Sequence, residues 1–205
     1  MGSDQTTRAS LHGIAELLLA GPQYRQHGTI RLRVLPGAIA TIAAPDLRAD
    51  HLKVRTHDAA VEVRGATYAE IGSRLGVVAG APEGLYENGS GALPSDSPVL
   101  DPRTARTLLA ALDLGDQSLR RFAPQLTPVL WPEHFDVAVS LDEVNYGVSL
   151  GDDFLDEPYM YVGPYKPHTG AFWNAPFGAG QPLGKTVEEV AEFFALGRKA
   201  AAADA

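Results

Sequence analysis

The chain contains no cysteine, which excludes disulfides, thiolate zinc sites, iron–sulfur clusters and a cysteine nucleophile. Positive charge is scarce: 17 Lys and Arg stand against 25 Asp and Glu, for a formal net charge of -8. Phosphate backbones are held by clustered cations, so no nucleic-acid partner is expected. The densest basic run, Arg31 and Arg33, has the spacing of a strand's solvated side. No apolar run approaches the length of a bilayer span, so no membrane partner is expected either. The first residues, MGSDQTTRAS, put acidic and polar side chains where a secretory signal has basic residues and an apolar block, so a cytoplasmic location is expected. Three catalytic signatures are missing as well: the GxSxG elbow, the GxxxxGK[ST] phosphate loop and HExxH.

The 205 residues, 45% of them hydrophobic, are enough to bury a core without staples, and a single domain over residues 1–205 is expected. Leu11, Ile14, Leu17 and Leu18 recur at helical spacing until Gly21-Pro22, which predicts an amphipathic first helix ending there. Ile30, Leu32 and Val34 then alternate with Arg31 and Arg33 as in a half-buried strand, and further short strands are predicted at 39–43, 52–55 and 61–64. Thr67 with Glu70 spells a capping box for a short helix. Residues 79–100 are rich in Gly, Pro, Ser and Asn and predict a long irregular excursion. Asp101-Pro102 opens a middle helix that Gly115 interrupts, and strands are predicted at 135–141, 144–148, 159–162 and 171–174. Thr186 and Glu189 cap a closing helix. Runs of strands with helices between and after them predict an α+β fold, with antiparallel meanders forming a curved sheet or half-barrel packed by N-terminal, middle and C-terminal helices.

Ten of the sixteen aromatic residues fall between 131 and 177. Apolar walls carrying a few polar groups are what small-molecule pockets require, so Trp131, Tyr146, Tyr159, Tyr161, Trp173 and Asn174 are candidate ligand-binding residues. His134 and Asp136 are two apart and share a face if a strand begins by residue 134. A carboxylate beside an imidazole fixes its tautomer and raises its basicity, which makes this pair the candidate acid–base element. With His168 the same two residues have the spacing of a facial metal triad, although the oxygenases that triad resembles keep a basic residue after the distal histidine, and here none follows until Arg198. The run Asp152 to Glu157 spells DDxxD and resembles the magnesium-diphosphate motif of isoprenoid synthases. That motif belongs on a helix, whereas Gly151 and Pro158 bracket a loop here, and a solvated acidic turn is expected.

At WPEHFDVAV, VNYGVSLGDD, EPYMYVGPY and FWNAPFGA the chain resembles a group of uncharacterised bacterial proteins. More distantly it resembles a bacterial family of unknown function with a G-x-I-R-L segment, a helix opening on Asp-Pro and an H-F-x-G-S-F-D-L-A strand. The counterparts here are Gly28 to Leu32, Asp101-Pro102 and Glu133 to Ala138. PEHFD stands where that family has a Gly-Ser pair before Phe-Asp, so Asp136 matches and His134 does not. The resemblance implies a shared fold and no chemistry. Three readings follow: a small-molecule-binding protein or enzyme with an aromatic pocket, a homodimerisation or interaction module with an exposed aromatic strand face, and a metal-dependent enzyme using His134, Asp136 and His168. No cofactor is named by any motif.

Overall fold

The structure, a computed structural model, describes residues 3–86 and 89–203. The N-terminal periodicity does form a helix, but Gly21-Pro22 does not end it. Helix α1 (Ser3–Gly13) passes into a π-helical segment (Ile14–Ala20) and then into α2 (Gly21–His27). Proline stops a helix by lacking an N–H and clashing with the preceding turn. Pro22 instead stands in the first turn of α2, where no N–H is needed, and the Gly21 N–H donates to the Glu16 carbonyl five residues back, the wider π pattern. All seven residues of the π segment are buried. The helix stops at Gly28, whose φ of 68° is left-handed and costs glycine nothing.

Two units divide the chain, Met1–Ala110 with Leu130–Phe135 and Ala111–Val129 with Asp136–Ala205. In the first, β1 (Leu32–Leu35), β2 (Ala38–Thr41), β3 (Arg48–Ala49), β4 (Lys53–Arg55), β5 (Ala60–Glu62) and β6 (Val129–Trp131) pair antiparallel in the order β6-β1-β2-β3-β4-β5. Gln23 ties the helix to this sheet. Its fully buried amide donates to the carbonyls of Thr29 (3.0 Å) and Arg31 (2.8 Å) and accepts from the amides of Ile42 (2.7 Å) and Ala43 (2.8 Å). Helix α3 (Tyr68–Arg74) begins on the complete Thr67–Glu70 capping box. The described residues of 79–100 hold no helix or strand, yet the excursion is anchored along the first helix: Gly80 N–H donates to the Leu17 carbonyl (2.9 Å), Val99 N–H to Ser10 Oγ (2.9 Å) and Asp101 N–H to Thr7 Oγ1 (3.1 Å).

Helix α4 (Pro102–Phe122) starts where Asp101 accepts from the Thr104 amide (2.8 Å) and runs unbroken through Gly115. A methyl on Gly115 would lie 2.8 Å from Val137 and 2.9 Å from Val148, so the glycine serves close helix–sheet packing. In the second unit β7 (Asp136–Leu141), β8 (Val144–Ser149), β9 (Tyr159–Pro164) and β10 (Ala179–Pro182) pair antiparallel in the order β10-β9-β8-β7. The fourth strand predicted at 171–174 is absent, residues 171–172 being a turn and 173–174 irregular; β10 takes that place, pairing Ala179 to Pro182 with Val162 to Tyr159. Asp142 and Glu143 turn β7 into β8 with φ of 54° and 59°, the double left-handed geometry of a two-residue hairpin. Helix α5 (Val187–Ala203) is capped by Thr186 Oγ1, which accepts from Glu189 N–H at 3.2 Å, and packs on β8 and β9. Tyr146, Phe122 and Phe194 meet ring to ring beneath it, with centroids 4.7 to 6.1 Å apart. Helices therefore pack against antiparallel strands that do not close, the α+β class predicted from runs of strands with helices between and after them. Among the described residues no helix is long and apolar enough to cross a membrane.

Candidate functional site

Strand β7 begins at Asp136, and Pro132 to Phe135 form a turn whose last residue has a φ of 53°. The same-face relation between His134 and Asp136 requires a strand by residue 134, and that strand is absent. His134 is exposed on its turn with Nε2 3.2 Å from Glu133. Asp136 is buried and accepts the Tyr161 hydroxyl. His168 stacks on Trp173 at 5.0 Å. Among the described residues, no three His, Asp or Glu side chains are grouped to hold a metal ion. Trp131 lies in the first unit with the Arg31 guanidinium 5.6 Å above its ring. Asn174 holds its turn to β10 through two 3.0 Å bonds with the Gly180 backbone.

The two tyrosines of β9, Tyr159 and Tyr161, do form one cluster in the second unit, with ring centroids 6.4 Å apart. Tyr161 lies over Gly147, where a methyl would come within 2.6 Å of the ring, and its hydroxyl reaches Asp136. Burial first, and then the Asp136 charge, raise the Tyr161 phenol well above its usual range. Tyr159 donates to Asp152 Oδ2 at 2.6 Å, and burial followed by that bond raises it too. Asp152 thus belongs to a hydrogen-bonded turn, with its Oδ1 accepting from the Phe154 amide.

Tyr146 is different. Strand alternation points it under α5, where it is fully buried, and its hydroxyl has no hydrogen-bond partner. A buried hydroxyl left unpaired costs about 1–3 kcal/mol. Burial pushes its phenol up to about 12, with Arg198 pulling it down and Asp142 pushing it up, so at neutral pH it is a protonated donor. Tyr146 also lines a cavity of about 610 Å³ with Asp142, Glu143, Lys166, His168 and Arg198. Val144, Pro164, Pro167, Ala201 and Ala202 complete the wall with apolar surface. Within that wall Arg198 reaches Asp142 at 2.8 Å. A neighbouring cavity of about 570 Å³ contains Asn174, Phe172 and Phe193 among its walls. Sequence reasoning selected Tyr146 from its strand but missed Lys166 and Arg198; only the packing of β8, β9 and α5 puts the three in one cavity wall.

The first unit contains a second group, which no sequence motif marked. Glu16 is buried within the π segment and accepts from the Ser90 amide (2.9 Å) and the Ser90 hydroxyl. One turn earlier His12 stacks on Phe135 at 5.3 Å and contacts the Pro132 carbonyl at 2.6 Å. Burial lowers the His12 pKa, outweighing the opposing pull of that carbonyl and Glu16. Burial raises the Tyr86 phenol, reinforced by the Glu16 and Glu133 charges. The signal available beforehand was His12 and Glu16 four apart on one helix face.

Set against known families, curated proteins and solved structures, this chain matches no family model, no curated protein and no solved structure.

Proposed function

We propose that this protein binds a small molecule in the cavity beneath α5, with Tyr146 at its wall. One observation carries the reading: Tyr146, a fully buried tyrosine whose hydroxyl has no partner, is in the wall of a cavity of about 610 Å³. Native proteins rarely leave such a group unsatisfied without a reason, and this volume falls in the range of ligand pockets, roughly 300–1,000 Å³. The wall combines apolar surface with a few charged groups, the composition that fixes a ligand's orientation. Tyr146 and Tyr159 are buried within their unit, so an exposed aromatic face for a partner chain has less support. The reading is tested by screening small fragments against the protein by NMR. Resonances of Val144, Tyr146 and Arg198 should shift together with binders, and Tyr146→Phe should weaken those binders. Hits scattered over other surfaces, with these three residues silent, would overturn it.

A further inference from the structure

The charges around the cavity narrow the ligand class. Its lining holds two carboxylates, Asp142 and Glu143, and two cations, Lys166 and Arg198. A ligand of a single charge would meet as much repulsion as attraction there. Asp142 and Arg198 already stand 2.8 Å apart as an exposed pair, with side chains 62% and 51% accessible. Such a pair is held weakly and yields readily to a better partner. Among the described residues, Lys166 and Glu143 have no ion-pair partner within the fold. The last turn of α5 supplies Ala201 and Ala202 to the wall, and the C-terminal end of a helix favours a cation nearby. The Tyr146 hydroxyl and the Arg198 guanidinium favour a carboxylate, the latter because its planar fork matches two carboxylate oxygens.

We infer that the cavity takes a zwitterion of the α-amino-acid type with an apolar side chain. Its carboxylate meets Arg198 and Tyr146, its ammonium meets Asp142 and Glu143, and its side chain lies on Val144, Pro164 and Pro167. The ligand's two charges, carried on one carbon, insert across the Asp142–Arg198 pair and replace each of its partners. This inference rests on the binding reading above and adds the ligand class to it.

The experiment compares four probes with the same side chain: leucine, N-acetyl-leucine, which lacks the ammonium, leucinamide, which lacks the carboxylate, and isoamylamine. Affinity is read by calorimetry and location by NMR shifts at Tyr146 and Arg198. Leucine should bind at least tenfold more tightly than each of the other three. Arg198→Met should remove its advantage over leucinamide, and Asp142→Asn should shrink its advantage over N-acetyl-leucine. If a one-charge probe binds at Tyr146 as tightly as leucine, the zwitterion class is overturned while the cavity stands as a binding site. If no probe moves those resonances but unrelated fragments do, the class again fails alone. Silence at the cavity toward probes and fragments alike overturns both.

Discussion

Replacing Tyr146 with phenylalanine deletes one oxygen and leaves the ring among Phe122 and Phe194. Removing a buried hydroxyl that has no partner should relieve a desolvation cost of about 1–3 kcal/mol, less the packing around a single atom, so a net gain of about 1 kcal/mol is expected. For a chain of this length that raises Tm by about 2–4 °C. Tyr161→Phe deletes the same atom one strand away, but there the hydroxyl donates to the buried Asp136 carboxylate. Hydrogen bonds to charged groups contribute about 1.5–3 kcal/mol, so that variant should be destabilised by a similar amount. Two identical chemical changes on paired strands should therefore move stability in opposite directions, separated by about 3 kcal/mol. Urea denaturation followed by circular dichroism, with calorimetry in parallel, measures both. A Tyr146→Phe protein losing more than about 1 kcal/mol would show that the hydroxyl is hydrogen-bonded after all, and the ligand argument would lose its basis.

Burial holds the His12 pKa below 6.5 in the fold, so the unfolded chain takes up a proton before the native one does; stability contributed by neutral His12 should be complete above pH 6.5 and be lost as pH falls below it. Denaturation midpoints between pH 7.5 and 5 should show a shallower decline for His12→Gln than for the parent, and equal slopes would refute the burial argument. Gly147→Ala puts a methyl 2.6 Å from the Tyr161 ring and should destabilise by about 1–3 kcal/mol through overpacking; unchanged stability would mean that the ring moves freely. Glu16→Ala removes the acceptor for both Ser90 donors and should accelerate hydrogen exchange at the Ser90 amide at least tenfold, whereas unaltered protection would show that Glu16 does not hold that segment.

What was legible in the sequence depended on how local its cause was. Thr67 with Glu70 and Asp101 with Pro102 are self-contained caps, and both formed where the residues predicted. Strand β10 reads Ala-Gly-Gln-Pro, with no strand-forming side chain. It is extended because the β9 edge supplies its hydrogen bonds, and its proline is tolerable on an outer strand. His134 and Asp136 keep a two-residue spacing, but Phe135 adopts a left-handed conformation that no glycine or asparagine announces. The alternation is thereby broken where the acid–base pair depended on it. Tyr146 could be read as a strand residue from its neighbours. Its lack of a partner, and the cations near it, arise from α5 and the loop after β9, more than fifty and about twenty residues further along the chain.

The π segment at Ile14–Ala20 makes the first helix a matter of phase. Each residue added to or taken from an α-helix turns everything after it by about 100°. Gln23 makes its four backbone bonds from one rotational setting of α2, and the widened turn upstream fixes that setting. Exchanges among small and large apolar residues within 14–20 would alter packing yet preserve the angle. Deleting any one of them would leave composition and hydrophobicity almost unchanged while swinging Gln23 away from Thr29, Arg31, Ile42 and Ala43. The segment should therefore be far more tolerant of spelling changes than of a change in length.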